Sequence, residues 1–302
     1  MSSITLPPVQ NFFKHFVKSQ FRTTYKPPPP STNLSGQTVV ITGSNSGLGL
    51  EAAKLLLSLN LSHLILAVRT VEKGEIVAAP LRSAYPKAQI DVWALDMLSY
   101  ASIQSFAQQC ATLSRLDVVI LNAGIANVKF EINTSTNHEQ TFQVNYLSTT
   151  LLAILLLPIL KSKSPGKAPG RLTIVASAMG WQAKFPNRNA VPLFPTFDDG
   201  SDWSLASSSE RYSVTKLMVL MLVLRLGSLV SPDDVVINAV EPGLVRGTGL
   251  SRSAPGPLQV FVKLFHLMGR TTVQGALTYA DAAVVKGKET HGSFVVNWEI
   301  YP

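Results

Sequence analysis

Short apolar runs alternate with stretches of helical period along most of this chain. Thr38-Val39-Val40-Ile41 has the length and β-branched character of a buried strand, and a helical pattern follows from Glu51 to Leu59. The same alternation predicts strands over His63–Val68, Gln89–Leu95 and Leu116–Leu121, with helices between them over Val71–Ala84 and Ser99–Cys110. Further on it predicts a long apolar helix over Asn137–Leu160, a strand over Arg171–Ala176, a helix over Tyr212–Val230 and a strand over Val235–Val240. A last helix over 271–286 and a last strand over Ser293–Asn297 complete the series. Strands that are apolar throughout bury both faces, and repeated βα units of this length predict an α/β fold. The expected form is one doubly wound parallel sheet flanked by helices, with right-handed crossovers. Residues 181–209 and 249–270 lack a regular pattern, apart from an apolar helix predicted around Val260, Phe261, Leu264, Phe265 and Leu267.

Residues 1–35 read as an N-terminal arm ahead of a domain spanning 36–302. On a helical wheel Phe12, Phe13, Phe16, Val17 and Phe21 share one half, opposite Lys14, Lys18 and Arg22; Pro27-Pro28-Pro29-Pro30 then form a stiff spacer. Three readings stay open: an interfacial helix giving residues 11–22 a peripheral membrane contact, a transit peptide, or an arm packed on its own domain or on a second subunit.

Composition narrows the field. A 46% hydrophobic content with 15% charged residues indicates a filled core in a chain of 302 residues. Cys110 stands alone, which excludes a disulfide framework and fits a reducing, cytoplasmic setting. Five scattered histidines show no His-x-x-x-His pair, so no metal site is expected. The net charge of +8 and pI near 9.6 owe much to an N-terminal stretch without any acid before Glu51, so a nucleic-acid partner is not expected. The most apolar stretches, Leu147–Leu160 and Leu217–Val230, fall short of 18 residues and read as buried helices.

The candidate chemistry sits between these elements. Thr42-Gly43-Ser44-Asn45-Ser46-Gly47-Leu48-Gly49 joins the first strand to the first helix of the domain, where backbone N–H groups can approach a pyrophosphate. Arg69 occupies the end of the second strand; an acid there would hold a ribose 2′-hydroxyl, whereas arginine accommodates a 2′-phosphate, so NADP(H) is the expected cofactor. Tyr212 and Lys216, four apart on a predicted helix, project from one face, close enough for the ammonium to stabilise a phenolate. That spacing alone is common in helices.

The Thr-Gly-x-x-x-Gly-x-Gly turn, Asn122-Ala123-Gly124, Ser177-Ala178-Met179-Gly180, Tyr212-x-x-x-Lys216 and Pro242-Gly243 stand in the order of the short-chain dehydrogenase/reductase family. The chain resembles that family over residues 36–300. The 35 residues between Ser177 and Tyr212 make it similar to the retinol-dehydrogenase-like branch. The resemblance implies a Rossmann-type sheet with a variable substrate-covering segment near the C-terminus. It also implies catalytic Ser177, Tyr212, Lys216 and Asn145: Tyr212 exchanges the proton, Lys216 lowers its pKa and holds the nicotinamide ribose, Ser177 donates to the oxyanion, and Asn145 anchors a relay water. Cofactor contacts are implied for Gly43, Ser46, Gly47, Leu48, Gly49, Arg69, Asp96, Asn122, Tyr212, Lys216, Val245 and Thr248. Thr248 lies one place later than the family's hydroxyl, with Gly247 in the usual position.

The function expected is hydride transfer between NADP(H) and the carbonyl or hydroxyl group of a bulky, apolar small molecule, such as a secondary metabolite or a steroid- or retinoid-like compound. Trp181, Phe185, Phe194, Phe197 and Trp203 in the irregular loop prompt that substrate class. The alternatives are a dinucleotide-binding redox regulator without turnover, and an epimerase or dehydratase. The apolar helices over 143–160 and 217–230 correspond to those that pair subunits in the family, so a homodimer or homotetramer is expected.

Overall fold

β1 (Thr38–Thr42) is buried along its whole length, and its side chains alternate between two cores. Val40 joins the core beneath one layer of helices, while Val39 and Ile41 join the other. Val119 and Leu121 against Val118 and Ile120 repeat this division in β4 (Val118–Leu121). A strand buried on both faces has no use for alternating polar positions, which is why these runs are continuously apolar.

The computed structural model describes residues 12–164, 168–249 and 269–301. Its main sheet adds β2 (His63–Val68), β3 (Gln89–Ala94), β7 (Gly170–Val175), β8 (Val235–Glu241), β9 (Ser293–Val296) and β10 (Glu299–Tyr301), in the order β10-β9-β8-β7-β4-β1-β2-β3. All neighbours pair parallel except β9 and β10. The chain runs outward from β1 to β3 and then crosses to β4 on the other side of β1. This reversal opens a crevice at the carboxyl ends of β1 and β4, the usual ligand position in such sheets.

Helices α2 (Gly47–Ser58), α3 (Val71–Ala84) and α4 (Tyr100–Ala111) fill the crossovers as expected. Elsewhere the structure departs from the sequence reading. A small antiparallel pair, β5 (Ile132–Asn133) and β6 (His138–Glu139), precedes the long helix, which begins as α5 (Gln140–Phe142), passes through a π turn at Gln143–Ser148 and continues as α6 (Thr149–Lys163). α7 (Leu205–Leu229) starts seven residues before Tyr212. The last helix, α8 (Thr272–Ala280), ends in a π turn at Asp281–Val285. The apolar helix predicted around 260–267 lies outside the described residues. By length and composition Gln140–Lys163 and Leu205–Leu229 could cross a membrane, but half of each stretch is buried, with Leu152, Leu156, Val219 and Val223 packed into the core.

The arm packs on its own domain. α1 (Phe12–Phe21) buries Ser19 and Gln20, while Phe13 and Phe21 stay exposed. The docked face is therefore rotated away from the centre of the phenylalanine stripe.

Candidate active site

The glycine turn is held tightly from below. Gly43 takes a left-handed conformation (φ 64°), and a Cβ at Gly49 would meet Asn122 Nδ2 at 2.7 Å and the Gly43 carbonyl at 2.8 Å. Asn122 Nδ2 donates to the carbonyls of Thr42 at 2.8 Å and Gly43 at 3.2 Å, and Tyr279 donates to Asn122 Oδ1 at 2.9 Å. The Asn122 amide thus braces the turn from behind. Ser46 is the N-cap of α2, yet its side chain caps nothing, which leaves the first-turn N–H groups open to an anion. This turn fits a dinucleotide phosphate: the donors are unclaimed by side chains, and a Cβ at Gly43 or Gly49 would strike Ala123 or Asn122 and push the turn off its support.

Of the other expected cofactor residues, Val245 and Thr248 stand beside it. Leu48 and Val245 converge on Gly275, where a Cβ would meet their methyls at 2.5 and 3.0 Å. A Cβ at Gly47 would stand 3.9 Å from Thr248 Cα, so the threonine's backbone passes beside the turn. Arg69 is exposed just beyond β2, and half-buried Asp96 follows β3, its Oδ1 accepting from the Leu98 N–H at 3.0 Å.

The four expected catalytic residues come from three neighbouring elements. Ser177 lies just past β7 and begins a short 3-10 turn, its Oγ accepting from the Met179 N–H at 3.2 Å. Tyr212 and Lys216 lie one turn apart on α7, with Lys216 Nζ 5.6 Å from the Tyr212 ring centroid. Asn145 sits buried in the π turn, where a widened helix turn points its amide inward. Its Oδ1 accepts from Ile125 N at 2.9 Å, and its Nδ2 donates to Ile125 O at 2.8 Å and Thr215 Oγ1 at 3.2 Å. A Cβ at Gly124 would lie 3.3 Å from Asn145 Oδ1 and 3.7 Å from Lys216 Nζ, so Asn145, Gly124 and Lys216 share one corner.

The electrostatics differ from the expectation. Burial pushes the Tyr212 phenol up to about 12; the Ser177 hydrogen bond pulls it down, and the nearby Glu241 carboxylate pushes it up. Burial pushes the Lys216 ammonium down to about 8. Lys216 was expected to lower the phenol, but its Nζ donates to the Val175 carbonyl at 2.9 Å and desolvation dominates both groups. Burial therefore keeps the Tyr212 phenol protonated.

Several contributors escaped the sequence reading. Arg211, beside Tyr212, donates to Glu139 Oε2 at 3.0 Å and lies over the Phe197 and Trp203 rings. Glu139 in turn accepts from the N–H groups of Thr141 and Phe142, each at 2.8 Å, so one carboxylate ties α7 to the start of α5. Four of the five loop aromatics thought to mark the substrate pack against the protein, while Phe194 stays 43% exposed. Phe197 stacks on Phe142 at 4.1 Å, Phe185 packs in the same cluster, Trp203 Nε1 donates to Val128 O at 2.8 Å, and Trp181 meets Phe294 edge-on. They hold the loop down. Glu241, at the end of β8, is a buried carboxylate that no motif flagged.

A doubly wound sheet with a phosphate-binding turn at its switch point, and a Ser, Tyr and Lys beyond the next strand ends, defines a nicotinamide-dependent oxidoreductase. The family model described as short chain dehydrogenase matches residues 37–190. The chain is 51% identical to the short chain dehydrogenase/reductase mfmJ of Annulohypoxylon moriforme, over all of this chain and 88% of that one. It is 43% identical to the short chain dehydrogenase opdN of Penicillium oxalicum, over 91% of each. Among solved structures it resembles L-sorbose reductase from Gluconobacter frateurii, complexed with NADPH and L-sorbose (TM-score 0.63, 19% identity, 88% of this chain and 97% of that one). It also resembles a Sphingobium yanoikuyae short-chain dehydrogenase in complex with NADPH (TM-score 0.59, 20% identity, 80% and 81%). The chain belongs to the short-chain dehydrogenase/reductase family, whose members act on CH–OH and C=O groups with a nicotinamide cofactor.

Proposed function

We propose that this enzyme reduces the carbonyl group of a bulky, largely apolar small molecule with NADPH, and that Ser177, Tyr212, Lys216 and Asn145 carry the reaction. The observation behind this reading is Tyr212 itself, one helical turn from Lys216, whose Nζ stands 5.6 Å from its ring centroid, and kept protonated by burial. A bound nicotinamide would supply the hydride to the carbonyl carbon. Tyr212 passes its phenolic proton to the carbonyl oxygen as charge builds there, and Ser177 donates a hydrogen bond to the same oxygen. Lys216 places positive charge beside the phenolate that remains. Asn145 keeps the backbone at Ile125 fixed. One C–H and one O–H bond form, the C=O bond becomes single, and Tyr212 regains its proton from solvent.

NADPH is favoured over NADH by exposed Arg69 beyond β2, with no acid nearby until Glu72. Replacing Tyr212 by Phe removes the acid and leaves the ring packing, so NADPH consumption with a panel of ketones should fall at least about a hundredfold. Full turnover by Tyr212→Phe, with NADPH still bound, would overturn the assignment. Arg69→Ala should weaken NADPH binding by about tenfold or more and leave NADH binding nearly unchanged, as isothermal titration would show. Equal losses for both cofactors would remove Arg69 from this role.

A further inference from the structure

α1 is fastened by polar contacts, which its phenylalanine stripe gave no reason to expect. Buried Gln20 pairs with the Leu244 backbone in both directions: its Nε2 donates to the carbonyl at 2.9 Å, and its Oε1 accepts from the N–H at 3.2 Å. A glutamine side chain carries the same donor and acceptor as a peptide group, so one residue satisfies both polar groups of Leu244. The Leu244 carbonyl also accepts from the Arg270 N–H at 2.8 Å, and the Arg246 N–H donates to the Arg270 carbonyl at 2.9 Å, a short parallel bridge between Val245 and Arg270. The Arg270 side chain, 2% exposed, closes the clasp from within. It donates from Nη2 to the Ser19 carbonyl at 2.6 Å and to Asn297 Oδ1, and from Nη1 to the Pro242 carbonyl at 3.1 Å. Gly243 makes that approach feasible, because a Cβ there would meet Arg270 Nη1 at 2.8 Å and its φ is +79°.

The clasped segment lies against the phosphate turn. Val245 and Leu48 meet over Gly275 of α8, and the Thr248 backbone passes beside Gly47. Gly47 and Leu48 open α2, whose first-turn N–H groups are the donors left for an anion. α1 therefore reaches the cradle through one short relay: Gln20 fixes Leu244, and the next residue packs beside Leu48. α1 has only ten residues, too few to hold a helix alone in water, so its docked state depends on this clasp. Such an element opens at lower cost than the core, and whatever steadies the segment beneath it also keeps it shut.

We propose that Gln20 is a positioning residue for the cofactor: it holds Leu244, and through it Val245 and Thr248, against the phosphate turn, so that docking of α1 and binding of NADP(H) strengthen each other. The inference rests on the reading of the turn at Gly43–Gly49 as the phosphate cradle of NADP(H), and it extends that cradle to a helix ahead of the domain.

Trypsin acting on the full chain reads the docking, since cleavage after Lys18 breaks the bond to docked Ser19 and requires α1 to leave its seat. Saturating NADPH should slow that cleavage about tenfold, followed by mass spectrometry. It should leave cleavage after Lys161 unchanged, because Lys161 pairs with Asp234 at the amino ends of the strands, opposite the cradle. Gln20→Met keeps the length of the side chain and loses both hydrogen bonds. It should raise the Kd for NADPH in a fluorescence titration by a similar factor, because coupling between two sites is reciprocal, and should remove the protection at Lys18. Phe13→Ala, on the exposed face of the same helix, should match wild type in both measurements. No slowing after Lys18, equal slowing after Lys161, an unchanged Kd in Gln20→Met, or an equal loss in Phe13→Ala would overturn the proposal. If wild type binds no NADPH, the cradle reading fails and the proposal fails with it. If wild type and Gln20→Met bind NADPH equally, the cradle stands and only the role of the arm is lost.

Discussion

Lys216 and Glu241 are the residues whose charge should be visible in a pH profile. A buried ammonium pushed down to about 8 loses its charge as pH rises through 8, so the positive neighbour of the Tyr212 phenolate disappears there. The kcat/KM for ketone reduction should therefore fall above about pH 8. Glu241, pushed up to about 7, becomes ionised one unit earlier and makes Tyr212 a weaker acid, which adds a shallower decline from 7. Glu241→Gln should remove the first decline and keep the second. Loss of fold does not explain the second: Lys216 titrates near 10.5 when unfolded and near 8 when folded, so between these values the unfolded chain binds more protons and this group adds stability as pH rises. A profile of Glu241→Gln that stays flat from pH 7 to 10 would show that the Lys216 charge is not needed.

Elements differ in how legible they are from sequence. β1, α2, β2 and α3 were readable to within a residue or a turn, because buried parallel strands and amphipathic crossovers repeat at fixed periods. Asn145 in the π turn, Ser177 past β7 and Tyr212 and Lys216 inside α7 were legible from the order of their motifs rather than from any period. Where a local rule competed with the period, the reading slipped. α7 begins at Leu205 because Ser204 and Ser207 cap each other's backbone, and the serine-rich first turns carry no apolar stripe to announce a helix. The π turn around Asn145 adds one residue to the helical repeat, which hydrophobic periodicity cannot resolve. β10 was hidden because its hairpin turns on Asn297 and Trp298, both with positive φ, and tryptophan is no signal for such a turn. The loop aromatics were counted correctly, but composition does not tell a ring that lines a chamber from one that stacks on Phe142. Arg270 was invisible for the opposite reason: a single residue gains its place only through a hydrogen bond to the Pro242 carbonyl, 28 residues away, and through a helix that returns from the N-terminus.

At the scale of the whole molecule, the two longest helices leave an apolar surface outside. Ile154 on α6 is 50% exposed, and Met221 and Leu224 on α7 are 55% and 42% exposed, while their opposite faces fill the core. Met221 and Leu224 are three apart, so they lie on neighbouring turns of one face. Such a stripe is unfavourable in water and suits a second copy of the chain, related by a two-fold axis that sets like surfaces together. The wild-type enzyme should therefore have the mass of a dimer or tetramer by light scattering at micromolar concentration. Met221→Glu combined with Leu224→Glu should give the monomer, because four carboxylates would otherwise be desolvated across the axis of each pair. α7 also carries Tyr212 and Lys216, so association should brace the catalytic helix. The thermal midpoint of the wild type should then rise with protein concentration, and that of the double variant should not. Monomer mass for the wild type, or a concentration-independent midpoint in an associated wild type, would show that this apolar stripe serves another purpose.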